Sequence, residues 1–222
     1  MAHHRGDPNK LFPAAHPDFP EGRKTALMSA AAAGNAKKVT ALIDDSKADV
    51  HLANEHGLMA LHFASNGEVV RALVERGADL HAKVKAGYPH SWRHIEPLEL
   101  AVDRGDASAI TEFAAQGVSV SMHAVDLTKR CCYGNMWAAL AALIAAGAPV
   151  NEKTMNHAIV CSNLAAVRVL CDAGANLALK SEYWLNRYVN SQKQYMTPLA
   201  AAIHFKLGDI EALLRARGAP RG

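Results

Sequence analysis

An all-α solenoid of six short helix-turn-helix units is the fold this sequence predicts, and three observations carry it. One apolar stripe recurs six times: Val39/Leu42/Ile43, Val70/Leu73/Val74, Ile110/Phe113/Ala114, Leu140/Leu143/Ile144, Val167/Leu170/Cys171 and Ile210/Leu213/Leu214. Each stripe ends in a two-residue break: Lys47-Ala48, Gly77-Ala78, Gly117-Val118, Gly147-Ala148, Gly174-Ala175 and Gly218-Ala219. Apolar residues at i, i+3 and i+4 form one buried helix face, and glycine closes such a helix in the left-handed conformation it adopts cheaply. The repetition also consumes the chain. Neighbouring units must therefore shield one another's apolar faces instead of sharing one central core.

Taken in order, residues 1–21 carry four prolines and no helical period, yet include Leu11, Phe12 and Phe19. A solenoid needs its end units covered, so this arm reads as an N-terminal cap with its aromatics on the first repeat; a disordered tail is the alternative. The six units follow at about 22–54, 55–84, 85–121, 122–151, 152–180 and 181–222. Their first helices carry Thr25-Ala26-Leu27-Met28-Ser29-Ala30-Ala31, Leu61-His62-Phe63-Ala64, Pro97-Leu98-Glu99-Leu100-Ala101 and Thr197-Pro198-Leu199. These resemble the T-P-L-H-x-A-A signature of the ankyrin-repeat family, and the stretch from Pro97 to Gly117 has that family's spacing throughout. The fourth unit departs from the signature at Leu127 to Cys132, and the fifth keeps only Met155-Asn156-His157-Ala158. The resemblance spans about residues 22–220 and implies a protein-binding module. It also implies that His62 makes turn hydrogen bonds.

The breaks are unevenly spaced. From Ala48 the steps to Ala78, Val118, Ala148, Ala175 and Ala219 are 30, 40, 30, 27 and 44 residues, against about 33 for a regular repeat. The two long steps are insertions, near Lys83–Glu96 and Leu179–Met196. In ankyrin proteins this connection is the finger beside the concave face, so the resemblance places both insertions there. Of thirteen Phe, Tyr and Trp residues, six sit in these loops: Tyr88, Trp92, Tyr183, Trp184, Tyr188 and Tyr195. Loops usually face water and are polar, whereas tyrosine, tryptophan and arginine dominate interface hot spots. Tyr88, Trp92, Arg93, Tyr183, Trp184, Arg187, Tyr188 and Tyr195 are accordingly the candidate partner-binding residues. Lys83, Lys85, Arg93, Arg187 and Lys193 form a basic rim suited to an acidic partner. The competing reading is that the loops fold back and pack their own rings. Trp137 starts an apolar stripe and reads as core.

Other chemistry finds little support. A formal charge of +3 on 222 residues is too mild to imply nucleic acid or membrane. No apolar run is long enough to span a bilayer, and the N-terminal residues lack a secretory layout. Four cysteines without a C-x-x-C pair read as reduced thiols, so the expectation is a cytoplasmic protein without cofactor. His90 and His94 have i, i+4 spacing but follow Pro89 in a loop, so no metal site is expected. No phosphate loop, dinucleotide fingerprint or nucleophile elbow occurs, and six units plus a cap leave no room for a catalytic domain. The expectation is a non-catalytic module for a partner protein, with a bacterial immunity protein against a cognate toxin as its narrower form. The alternatives are a host-directed bacterial effector and a binder of single-stranded nucleic acid through the aromatic loops.

Overall fold

The computed structural model describes residues 7–12, 22–84, 95–120, 131, 136–184 and 193–221, with backbone alone at positions 184 and 193. The chain divides into two compact units, Met1–Ser119 and Val120–Gly222. Each is a stack of helix pairs, as the repeated stripe predicts.

In the first unit, α1 (Ala26–Ala32) and α2 (Ala36–Asp44) form one pair. A single 3-10 turn, Ala60–Phe63, is followed by α3 (Gly67–Val74), and then come α4 (Pro97–Arg104) and α5 (Ala107–Ala115). The first helix of the second repeat shrinks to that turn because only three residues separate Phe63 from Gly67. Its Leu61, His62, Phe63 and Ala64 are nonetheless all buried. Asparagines start the second helices: the Oδ1 atoms of Asn35 and Asn66 accept from the amides of Lys38 and Val69, each at 2.9 Å. Such a cap contributes about 1 kcal/mol. Val69, Val70 and Leu73 of α3 are fully buried, and truncating Leu73 to alanine would cost on the order of 2–5 kcal/mol. Gly77 then ends the helix at φ +87, a conformation that penalises any Cβ.

In the second unit, α6 (Trp137–Ala145) packs on α8 (Leu164–Asp172), and α7 (Glu152–Val160) precedes α8 as its pair. A two-stranded antiparallel hairpin follows, β1 (Ser181–Trp184) and β2 (Lys193–Met196), so the second insertion adds a short sheet to a helical fold. The last pair is α9 (Pro198–His204) and α10 (Gly208–Ala216), which pack on α7 and α8 respectively. Between the helices of the last two pairs, Ser162 and Lys206 take φ +53 and +57, where Gly34 and Gly105 stand in the first unit.

Two expectations are corrected here. Trp137 is 54% exposed. The buried face of α6 is Ala139, Leu140 and Leu143, and at about 100° per residue Trp137 lies roughly a third of a turn from its centre. Phe12 is likewise 48% exposed as a residue, so it does not seal the first repeat; Phe19 lies outside the described residues.

The arm instead holds by its backbone. Phe12 and Lys24 exchange both amide hydrogen bonds, at 2.9 and 3.3 Å, and Asn9 Oδ1 accepts from the Asp49 amide at 2.9 Å. Asp7 Oδ1 accepts from the Asn9 amide, the same two-residue turn that Asp49 makes with His51, Asp79 with His81 and Asn176 with Ala178. Residues 7–12 thus reproduce the tail of a repeat, including the start of a finger.

Candidate partner-binding surface

The second finger is built by strand alternation. Ser181 pairs with Met196, Glu182 with Tyr195 and Tyr183 with Gln194. Successive residues of a strand face opposite sides, so Ser181, Tyr183 and Met196 turn inward and are buried, while Glu182 and Tyr195 share the outer face. Tyr195 is 65% exposed, and its hydroxyl donates to Glu182 Oε2 at 3.4 Å. The side-chain amide of Asn156 on α7 donates to Ser181 Oγ at 3.1 Å and to the Glu182 carbonyl at 2.6 Å, pinning β1 to the helix.

Tyr183 therefore cannot grip a partner, which corrects its assignment from sequence. Only 1% of the residue is exposed, and its ring lies 6.1 Å from that of Phe205, tilted by 53°. Its hydroxyl has no hydrogen-bond partner, and burial pushes its pKa well above the ordinary phenol value. Tyr183 anchors the finger, and Tyr195 is left outside. Trp184 lies at the end of β1. Tyr88, Trp92 and Arg93 of the first insertion, and Arg187 and Tyr188 of the second, lie outside the described residues.

At the base of the first finger, the Val84 amide donates to the Ile95 carbonyl at 3.2 Å, and both residues are buried. Glu96 meets His81 Nδ1 at 3.2 Å and Lys83 Nζ at 3.8 Å. Lys83 thus faces a carboxylate of its own chain, which weakens it as a steering charge; Lys85 lies outside the described residues.

Beside the second finger, α7 offers a polar face that the sequence reading passed over. Its buried side carries Thr154, Met155, Ala158 and Ile159. Lys153, Asn156 and His157 fall on the other side and line a groove of about 400 Å³ together with Lys180 and Tyr195. The signal was present as polar residues at i, i+3 and i+4 opposite the apolar stripe. Among the described residues, no cluster of histidine, cysteine or acidic side chains could hold a metal. No helix among them is long and apolar enough to cross a membrane.

His62 is a scaffold residue. Its Nδ1 accepts from the Met59 amide at 3.0 Å and its Nε2 donates to the Ala82 carbonyl at 3.1 Å, which sets the tautomer. Burial lowers its pKa to about 4. Arg104, from the next repeat, donates to the carbonyls of His62 and Ala64 at 2.9 and 2.6 Å.

Known proteins agree with this geometry. The sequence profile of ankyrin repeats, in three copies, matches residues 5–84. The ankyrin repeat domain of Bcl-3, a member of the IkappaB protein family, aligns with a TM-score of 0.60 and 20% identity over 89% of this chain and 87% of that one. Residues 5–84 carry the ankyrin-repeat pattern, and the chain shares the ankyrin fold. A chain from the complex of Bd0816 predatory endopeptidase of Bdellovibrio bacteriovorus with immunity protein Bd3460 aligns with a TM-score of 0.54 and 20% identity, over 87% of this chain and 98% of that one. Identities this low establish the shared ankyrin fold. No curated protein sequence matches the chain. The ankyrin profile begins inside the arm, in keeping with the repeat-like turn at Asp7. Ankyrin repeats are protein–protein interaction modules.

Proposed function

We propose that this chain is a non-catalytic module that grips a partner protein through its two aromatic, mildly basic fingers and the concave face. The observation that carries the reading is the division of labour in the second finger: Tyr183 is buried and fastens the hairpin, while Tyr195 is held out in solvent. A preformed hairpin loses little ordering entropy when it binds. Trp92 and Trp184 are the proposed anchors, with Tyr88, Tyr188 and Tyr195 beside them and Arg93 and Arg187 among them. The partner is a protein with an acidic surface.

The narrower reading is immunity, in which the chain neutralises a toxin of its own cell. It is supported by the fold shared with a chain of a complex that contains an immunity protein. Affinity capture with the whole chain, repeated with Trp92→Ala/Trp184→Ala/Tyr195→Ala, tests the binding surface. The triple variant should lose the partner, and undiminished capture would sink the finger assignment. Expressing the captured protein with and without this chain tests immunity: growth arrest relieved by the chain is the expected result, and arrest unrelieved refutes it.

A further inference from the structure

The groove of about 400 Å³ between α7 and the hairpin is lined by two lysines whose ammoniums have no partner among the described residues. Four ionised side chains line it. Glu182 accepts the Tyr195 hydroxyl at 3.4 Å. Glu152 sits in the first turn of α7, where unpaired amides favour a carboxylate. Lys153 and Lys180 differ: both are exposed, and among the described residues neither ammonium has a hydrogen bond or ion pair. Other cations do pair internally, as Arg71 does with Glu112, Arg76 with Asp44 and Arg217 with Asp172. Asn156 donates its amide protons to β1, so they are not available to a ligand. The Tyr195 ring forms part of one wall.

We propose that this groove takes a carboxylate side chain from an extended segment of the partner, with Lys153 and Lys180 holding the acid and the Tyr195 ring covering the adjacent chain. The inference rests on the protein-binding reading and adds the chemistry of what is bound. The mixed lining chooses between two kinds of anion. A phosphate backbone repeats its charge at every residue and would run against Glu152 and Glu182, whereas one carboxylate between neutral neighbours meets only the two ammoniums.

The test uses the whole 15N-labelled chain, titrated at roughly physiological ionic strength. The probes are blocked hexapeptides of alternating Ser and Glu, Ser and Gln, or Ser and Lys, and a thymidine hexanucleotide. The Glu peptide should shift the amides of Lys153, Asn156, His157, Lys180 and Tyr195 in a saturable way, and the other three probes should not. Lys153→Gln/Lys180→Gln should weaken that binding by at least about tenfold with unchanged melting, since both side chains are exposed. Equal response to all peptides, tighter binding of the hexanucleotide, shifts confined to other residues, or an unaffected double variant would each overturn the proposal. The finger assignment is read separately, by capture with the Trp92, Trp184 and Tyr195 variant, so either can fail while the other stands.

Discussion

Arg71 on α3 and Glu112 on α5 are locked by two parallel hydrogen bonds, Nε to Oε1 at 3.1 Å and Nη2 to Oε2 at 2.6 Å. Gln116 donates to the same carboxylate at 2.9 Å. The geometry is the bidentate fork that guanidinium and carboxylate share, and it joins the second helices of consecutive repeats. The arrangement recurs one repeat earlier, where Arg76 forks onto Asp44 at 2.9 and 2.7 Å. The two acids differ in exposure: the Glu112 side chain is 9% exposed and that of Asp44 49%.

That difference makes the first prediction. Arg71→Met should lower the melting temperature more than Arg76→Met, because it strands a buried carboxylate while Asp44 remains in water. Hydrogen bonding to Arg71 holds the Glu112 pKa below its ordinary value of 4.5. Its stabilisation is therefore full above that ordinary value and is lost as pH falls through the depressed one. The gap between wild type and Arg71→Met should close in acid; a gap independent of pH would refute the role given to the charge.

His62 behaves oppositely in charge but also weakens the fold in acid. Its folded pKa of about 4 lies below the unfolded 6.5, so the unfolded chain binds the extra proton between those values. The penalty is absent above the unfolded value and grows as pH falls, reaching about 3 kcal/mol near pH 4. His62→Gln should be less stable at neutral pH yet flatter between pH 6.5 and 4, as denaturant melts at each pH would show.

Ser162 and Lys206 hold φ values of +53 and +57 that glycine tolerates better. Lys206→Gly should raise stability by up to about 1 kcal/mol, since the left-handed region costs a side-chain-bearing residue on that order. Ser162→Gly should act the same way. Chemical denaturation reads both, and a loss of stability in each would contradict the strain argument.

Tyr183 separates packing from hydrogen bonding. Tyr183→Ala should cost about 3–5 kcal/mol, because it removes a buried ring. Tyr183→Phe should be neutral or stabilising, because the hydroxyl it deletes is buried without a partner. Tyr195→Ala, in contrast to Tyr183→Ala, removes an exposed ring and should leave melting unchanged.

Removing residues 1–12 should loosen the first repeat. The deletion takes away the Phe12–Lys24 backbone pair and the Asn9 acceptor for the Asp49 amide. Hydrogen exchange at Lys24 and Asp49 should quicken sharply, while α7 to α10 stay protected. Unchanged exchange at both amides would mean the arm contributes nothing.

The sequence by itself determined that helix pairs repeat, where most second helices lie and where each ends, because a 3.6-residue apolar period and a left-handed glycine are local physics. The stripe at Val70 and Leu73 and the break at Gly77 needed no neighbour to be read. It also located the two insertions and their aromatic content. Only the tertiary structure decided which rings are available. Tyr183 and Tyr195 have the same chemistry in the same loop, and strand pairing put one inward and the other outward. Trp137 belonged to an apolar run, and the rotation of α6 against α8 put it in water. The forks of Arg71 and Arg76, the hydrogen bond from the Asp49 amide to Asn9, and the groove of Lys153 and Lys180 join residues far apart in the chain. Their proximity arises from stacking, which no local pattern encodes.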